Sequence, residues 1–296
     1  MNERELINWI RQQGGTDSEG ILVGPGDDCA VLASGDGVLL VTVDQVLAGV
    51  HVDIARAGGR AAGRKAMARN LSDIAAMAGV PFVAVASVTL PKGDEALGCE
   101  IYAGLREAAE AFGCPIVGGD VATWDNPLTV SVTVLGKMPA GREPILRSGA
   151  RAGDAICVTG ALGRSWQSGR DLTFTPRLAE AAELVSRATP SAMIDLSDGL
   201  ARDLRHLCDA SGTGAHLQAG AIPLAPGADL AGALGDGEDY ELLFTLPRAE
   251  AEAVAATGLA GTPVTILGEM TTATELLMTD STGTGPLPET GWEHRT

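Results

Sequence analysis

The sequence has few aromatic residues and few positive charges. Only 3% of its 296 residues are Phe, Trp or Tyr, so the core must be built from Ala, Val, Leu and Ile. Lys and Arg number 21 against 38 Asp and Glu, which gives a formal net charge of −17. Such acidity argues against binding to a nucleic acid backbone or an anionic membrane, because both favour basic patches. We therefore expect no nucleic acid partner and no membrane partner.

Cysteines are also scarce, and their spacing matches no disulfide or zinc-binding pattern. The five are scattered, odd in number and without a CxxC pair, which argues against a disulfide scaffold or a zinc ribbon and favours the reducing cytoplasm. The charged N-terminal residues are followed by no apolar segment typical of a signal peptide. An uncharged stretch at 74–91 contains Gly79-Val80-Pro81, which predicts helix, turn and strand instead of a membrane span. The sequence predicts a soluble cytoplasmic protein.

Several common catalytic motifs are missing. The sequence has no GxxxxGK[ST], and GPGDDC at 24–29 lacks the last glycine of the dinucleotide fingerprint. Neither GxSxG nor HExxH occurs, so α/β-hydrolase and zincin chemistry are not indicated.

Apolar runs of strand length alternate with helical patterns, which predicts a mixed α/β or α+β fold. The predicted strands cover 38–43, 82–90, 115–117, 128–135, 155–158, 192–194 and 242–246. The predicted helices cover 3–13, 60–78, 100–112, 177–188 and 199–211. Because the stretch 138–144 is rich in Pro and Gly, it predicts a boundary between domains 1–138 and 139–296.

Acidic residues follow several of these runs or sit in glycine-rich turns. They include Asp27, Asp28, Asp44, Asp120, Asp195, Asp198, Glu238 and Asp239, while Asp73 lies on the helix predicted at 60–78. Each has an ordinary structural interpretation: Gly26-Asp27-Asp28 as a turn, Ser197-Asp198 as a helix cap, Asp73 as a partner of Arg69, and Glu238-Asp239 as a solvated loop. Together, carboxylates at the ends of strands and helices favour an anionic cavity that needs cations. Oxygen ligands without Cys or His at metal spacing favour Mg²⁺ or Ca²⁺ over zinc.

Seven segments, in order, resemble the thiamine-monophosphate kinase family and span nearly the whole chain. They are GDDCAVL at 26–32, VDQVLAGVH at 43–51, NLSDIAAM at 70–77, VGGD at 117–120, RSGA at 147–150, IDLSDGL at 194–200 and GEDYEL at 237–242. The resemblance implies the aminoimidazole ribonucleotide synthetase-like fold. In that fold, an N-terminal sheet pairs with a second subunit into a barrel, and a C-terminal α/β domain follows. It also implies a homodimer.

The resemblance further implies transfer of a phosphoryl group from ATP to thiamine monophosphate with several Mg²⁺ ions. Carried over by residue, the implied metal ligands are Asp28, Thr42, Asp44, Asp73, Asp120, Asp195 and Asp198, with the choice between Asp27 and Asp28 open. The implied ATP-binding residues are Tyr102, Gly119, Asp120, Arg147 and Ser197, of which Asp120 and Arg147 are also catalytic. The implied residues for thiamine phosphate are His51, Glu238 and Trp292.

The residue types fit this chemistry, since two polyanionic reactants can approach an acidic protein only through metal bridges. The attacking phosphate oxygen is already ionised at neutral pH, which agrees with the lack of an evident acid–base pair. A carboxylate and an aromatic face suit the cationic thiazolium. Two alternatives stay open: another ATP-using enzyme of the same superfamily, or a paralogue that only binds metal or nucleotide.

Overall fold

The computed structural model describes residue 9, residues 19–35 and residues 37–293. The first sheet contains β1 (Ile21–Val23), β2 (Ala30–Ser34), β3 (Gly37–Leu47), β4 (Val80–Pro91), β5 (Ile116–Trp124) and β6 (Thr129–Lys137). Its strand order is β1-β2-β3-β6-β4-β5. Neighbouring strands are antiparallel except for the parallel pair β4–β5.

Two helices, α1 (Ile54–Ala76) and α2 (Glu95–Ala111), cover one face of this sheet. Each begins at an aspartate, Asp53 or Asp94, whose carboxylate accepts hydrogen bonds from the first-turn amides. The two helices pack closely at Gly63 and Gly104. A Cβ on Gly104 would lie only 1.8 Å from the carbonyl oxygen of Arg60, so no larger residue fits there without moving the helices.

The other face of the first sheet is open. Val43 on β3 is 60% exposed, and Val85, which lies on the same face of β4, is 37% exposed. All of the edge strand β5 except Ile116 is exposed as well. Strands this apolar normally have both faces covered, and the sheet remains open in a single chain instead of closing into a barrel.

The second half of the chain follows a linking stretch, 138–154, that contains no helix or strand. Its strands are β7 (Ala155–Thr159), β8 (Ala192–Asp195), β9 (Gly214–Gln218), β10 (Leu242–Leu246), β11 (Val264–Thr271), β12 (Leu276–Asp280) and β13 (Gly283–Pro286). Its helices are α3 (Ser165–Ser168), α4 (Leu178–Arg187), α5 (Leu200–Ser211), α6 (Leu230–Gly235) and α7 (Arg248–Thr257), with single 3₁₀ turns at Arg170–Leu172 and Ala219–Ala221.

These seven strands form one sheet with the order β13-β12-β9-β11-β7-β10-β8. Side chains alternate along β7, so that Ile156 and Val158 join the core under α5 and α6. Ala155 and Cys157 join the core on the opposite face, under α4 and α7. The C-terminal turn of α1, including Ala75, packs into this second core and ties the two halves together.

The mixed α/β fold expected from the sequence is confirmed, and all seven predicted strands are present, six with shifted ends and the one at 242–246 with the predicted bounds. The helices predicted at 60–78, 100–112, 177–188 and 199–211 correspond to α1, α2, α4 and α5. The helix predicted at 3–13 lies outside the described residues except for Trp9. Strands β1, β2, β9 and β11–β13 and helices α3, α6 and α7 were not predicted, because their apolar runs are short and lack clear periodicity.

Two acids do not lie where the sequence suggested. Asp44 and Asp120 were expected to follow their strands, but both lie inside longer strands, β3 and β5. Asp195 is the last residue of β8, as expected. In the described part of the chain, no helix is both long enough and apolar enough to span a membrane.

Candidate functional site

Three carboxylates from separate parts of the chain meet between the two halves. Asp28 comes from the turn before β2, Asp73 from α1 and Asp195 from the end of β8. One oxygen of each lies within 4.8 Å of the other two. This carboxylate cluster is formed by three of the residues implied as metal ligands.

Two hydroxyl groups donate to the cluster. The Thr42 hydroxyl donates to Asp73, and the Ser72 hydroxyl donates to Asp195 Oδ2 at 2.6 Å. Thr42 therefore touches the cluster as the family resemblance implied. Ser72 was not predicted, although it lies next to Asp73 in the sequence.

Burial makes the ionised forms of these carboxylates energetically unfavourable. Burial raises the pKa of Asp195 to about 7, with further contributions from Asp28 and Asp44. It also raises the pKa of Asp73 well above its usual range, helped by the neighbouring carboxylates Asp44, Asp195 and Asp28. Carboxylates arranged in this way are stabilised by a cation among them. Since every candidate ligand atom of the cluster is a hard oxygen, the cluster fits Mg²⁺ or Ca²⁺.

Arg147 partly neutralises the cluster. Its Nη2 and Nε donate to the two oxygens of Asp28 at 2.8 and 3.3 Å. Its backbone amide donates to the carboxylate of Asp27, which also accepts from the amide of Asp28. Burial and the nearby Asp28 raise the pKa of Asp27 to about 6. The carboxylate of Asp28 thus belongs to the cluster. The carboxylate of Asp27 instead binds the linking stretch through the Arg147 amide.

Asp44 lies beside the cluster but has a partner of its own. Its Oδ2 accepts from Arg69 Nε at 3.0 Å, and Arg69 Nη1 donates to the carbonyl oxygen of Gln45. The sequence suggested Asp73 as the partner of Arg69, four residues away on the same helix. The structure shows the ion pair with Asp44 instead.

Asp120, Gly119 and Tyr102 lie elsewhere, in a groove of about 850 Å³ between α2 and the edge strand β5. Asp120 is in register with Ser87 on β4, and the same row continues across β6 to Gln45 on β3. Asp120 and Gln45 are therefore three strand spacings apart, which is about 14 Å. The register also places Asp120 on the open face of the sheet. The single chain does not bring Asp120 to the carboxylate cluster.

The three residues implied for thiamine phosphate do come together. His51, Glu238 and Trp292 line one cavity of about 350 Å³. We call this cavity the acceptor pocket. Its wall also contains Ser197 and Asp198, together with residues that the sequence did not indicate, namely Arg69, Trp166, Gln167 and Asp236.

The backbone around Glu238 is strained. Glu238 and Tyr240 have φ angles of 58° and 51°, which non-glycine residues rarely adopt. Two hydrogen bonds hold this segment in place, from the Glu238 amide to Ser197 O at 2.7 Å and from the Tyr240 amide to Leu196 O at 2.8 Å. The solvated-loop interpretation of Glu238-Asp239 is therefore wrong.

Ser197 and Asp198 do not cap the next helix through their side chains. Gly199 occupies the cap position of α5. The buried Asp203 carboxylate accepts from the amides of Asp198 and Gly199, each at 3.0 Å. Asp198, Asp203 and His206 form a second group whose ligand atoms lie within 4.8 Å of one another. Asp198, an implied metal ligand, thus belongs to a different group from Asp28.

Comparison with known proteins identifies the family. Residues 26–138 match the model described as AIR synthase related protein, N-terminal domain. A thiamine-monophosphate kinase of Rhodopirellula baltica is 39% identical over 275 residues, and the match covers 86% of this chain and 85% of that protein. The chain belongs to the thiamine-monophosphate kinase family. The family membership expected from the seven segments is thereby confirmed.

Other members of the thiamine-monophosphate kinase family are also similar over most of this chain. The kinase of Salmonella typhimurium is 37% identical, with 83% of each chain covered. The solved structure of AaThiL complexed with AMPPCP and TMP superposes with a TM-score of 0.85 at 27% identity, covering 99% of this chain and 97% of that one.

Proposed function

We propose that this chain transfers the γ-phosphoryl group of ATP to thiamine monophosphate, giving ADP and thiamine diphosphate. The observation that carries the proposal is the acceptor pocket, where His51, Glu238 and Trp292 meet although they are far apart in the sequence. Membership of the thiamine-monophosphate kinase family supports it, as does the likeness to a structure that holds an ATP analogue and TMP.

The acceptor pocket adjoins the carboxylate cluster. Arg69 lines the pocket and pairs with Asp44, next to the cluster. Ser197 lines the pocket two residues after Asp195, a member of the cluster. An acceptor in the pocket would therefore lie close to any cation that the cluster holds.

We assign several Mg²⁺ ions to the acidic residues, with Asp28, Asp73 and Asp195 as the central ligands. Thr42 and Asp44 stand beside them, and Asp198 lies near the pocket. When bound, Mg²⁺ would neutralise the polyphosphate and orient it for in-line transfer. The buried, mutually repelling carboxylates support this assignment.

The remaining chemistry requires positioning, not a general base. The attacking oxygen of the acceptor phosphate is already ionised at neutral pH. Arg147, which pairs with Asp28 at the edge of the cluster, would donate to the transferred phosphoryl group. Glu238 offers a negative charge and Trp292 an aromatic face to the thiazolium cation.

We further propose that two copies of the chain pair through the open face of the first sheet. The apolar residues Val43 and Val85 and the unpaired edge of β5 support this, because a second sheet would cover them. Asp120, with Gly119 and Tyr102, lies at this edge. Its roles in metal and ATP binding therefore require the second copy.

The linking stretch supports a division into domains 1–138 and 139–296, since β6 ends at Lys137 and β7 begins at Ala155. The five free cysteines support an enzyme of the reducing cytoplasm.

The activity is tested with purified protein, ATP, Mg²⁺ and thiamine monophosphate, with thiamine diphosphate measured by chromatography. The proposal predicts product formation that depends on all three additions. ATP binding without product would contradict the proposed reaction and favour a binding-only paralogue. Selective use of another acceptor would favour a different enzyme of the superfamily.

The pairing is tested by light scattering. We expect a mass of twice 30.2 kDa for the native chain. Val43→Asp places a charge on the open face and should shift the mass towards one chain. Leu224→Asp, at an exposed apolar residue in the second half, should leave it unchanged. A native mass near a single chain would refute the pairing.

A further inference from the structure

Lys65 is a fully buried cation behind two residues of the acceptor pocket, His51 and Glu238. It lies on α1 between the buried residues Ala62 and Ala68, and its side chain has no exposed surface. An ammonium group has three N–H donors. Here the ammonium donates to the carbonyl oxygen of His51 at 2.6 Å and to Asp171 Oδ2 at 3.0 Å, and it forms an ion pair with the carboxylate of Glu238.

These acceptors come from three separate segments that build the pocket. His51 lies in the turn between β3 and α1, Asp171 in the 3₁₀ turn Arg170–Leu172 and Glu238 in the strained segment before β10. Lys65 Nζ also lies 5.3 Å from the ring centre of Trp166, another wall residue. One side chain thus connects the segments that must keep a fixed arrangement for the pocket to exist.

The charges of Lys65, Asp171 and Glu238 do not cancel. One ammonium and two carboxylates leave one net negative charge. The Asp171 side chain is buried, whereas the Glu238 side chain is 18% exposed and lines the pocket. Burial raises the pKa of Glu238, and Lys65 and Arg69 oppose that effect. Lys65 therefore favours the ionised form of the carboxylate that faces the ligand.

We propose that Lys65 is a positioning residue for the acceptor, which with Asp171 holds Glu238 and the His51 turn in place and leaves one negative charge for a singly cationic ring. This rests on the proposed function, because that function supplies the thiazolium. Loss of Asp171 would leave a neutral pair that binds the cation less well, whereas loss of Lys65 would remove the contacts that hold Glu238 and the His51 turn in place. Lys65 itself does not touch the substrate.

The first test is Lys65→Met, which keeps the length of the side chain and removes its charge. Without the ammonium, the carboxylates of Asp171 and Glu238 repel each other, and Glu238 and the His51 turn lose the contact that fixes their position. We expect the KM for thiamine monophosphate to rise at least about tenfold while the KM for ATP changes less than about twofold. Lys65→Arg should restore much of the affinity for the acceptor. Lys92→Met, at an exposed lysine, is the matched control.

The second test is Asp171→Asn, which keeps Lys65 and so serves if Lys65→Met does not fold. Asp171 is not part of the pocket lining, but its loss leaves Lys65 and Glu238 as a neutral pair. We expect the same selective rise in the KM for thiamine monophosphate, and weaker binding in titration calorimetry without ATP.

These experiments distinguish failure of the proposed function from failure of the proposed role of Lys65. If the native protein makes no thiamine diphosphate, the proposed function fails. If the native protein is active and both variants keep the native KM for thiamine monophosphate, only the role of Lys65 is refuted. If both KM values rise together, Lys65 has a general structural role and the inference is also refuted.

Discussion

Asp73→Asn should stabilise the protein in the absence of divalent cations, although it removes a group from the candidate site. The substitution nearly preserves the shape of the side chain and removes one of three carboxylates whose oxygens lie within 4.8 Å. Two charges about 5 Å apart repel by about 3 kcal/mol at an effective dielectric constant near 20. The native chain reduces this repulsion by keeping protons on the cluster.

The pH dependence follows from the raised pKa values. An unfolded aspartate loses its proton near its usual value of 3.8, whereas Asp195 keeps its proton in the folded chain until about pH 7. Between these values the folded state binds more protons, so the free energy of unfolding falls as the pH rises. At about 1.4 kcal/mol per pKa unit, Asp195 alone accounts for a loss of up to about 4 kcal/mol.

Thermal unfolding with a chelator, compared with unfolding in millimolar Mg²⁺, is the assay. Without metal at about pH 8, we expect Asp73→Asn to unfold about 3–6 °C above the native chain, and near pH 4 the two should coincide. Mg²⁺ at about 100 times its dissociation constant should stabilise the native chain by about 2.7 kcal/mol. The variant should lose most of that gain and its kinase activity.

The control is Asp125→Asn, which removes an exposed carboxylate outside the cluster. It should change neither the pH profile nor the response to Mg²⁺. The reasoning would be refuted if Asp73→Asn were less stable than the native chain at alkaline pH without metal. Equal stabilisation of both proteins by Mg²⁺ would refute the metal site.

Three other substitutions test separate parts of the structure. Asp44→Asn should destabilise the chain by about 2 kcal/mol in chemical denaturation, unlike Asp73→Asn, because it leaves the partly buried Arg69 without its carboxylate. An unchanged free energy of unfolding would mean that the ion pair contributes little. Gly104→Ala should cost at least about 2 kcal/mol because its methyl group meets backbone on the facing helix. Gly220→Ala, with open space around it, should stay within about 0.5 kcal/mol, and equal effects would contradict the close helix contact. Glu238→Gln should raise the KM for thiamine monophosphate about tenfold or more and leave that for ATP unchanged, and a rise in both would contradict its assignment to the acceptor.

The sequence by itself determined much of the fold and the chemical character of the site. Periodic apolar residues located α1, α2, α4 and α5, because a helix must bury one stripe of its surface. Acids beside turns and strand ends, Asp28 and Asp195 among them, indicated a cavity that needs cations, and the family resemblance added Asp73.

Only the tertiary structure decided which charges meet. Sequence spacing favoured Arg69 with Asp73, but strand β3 brings Asp44 to Arg69 instead. Ser72 and Asp195 are 123 residues apart and share a hydrogen bond. Lys65 looks like an ordinary surface residue of a helix, yet three distant segments enclose it. Hydrophobic periodicity is a local property that shows which face is buried, whereas ion pairing depends on how distant segments pack together.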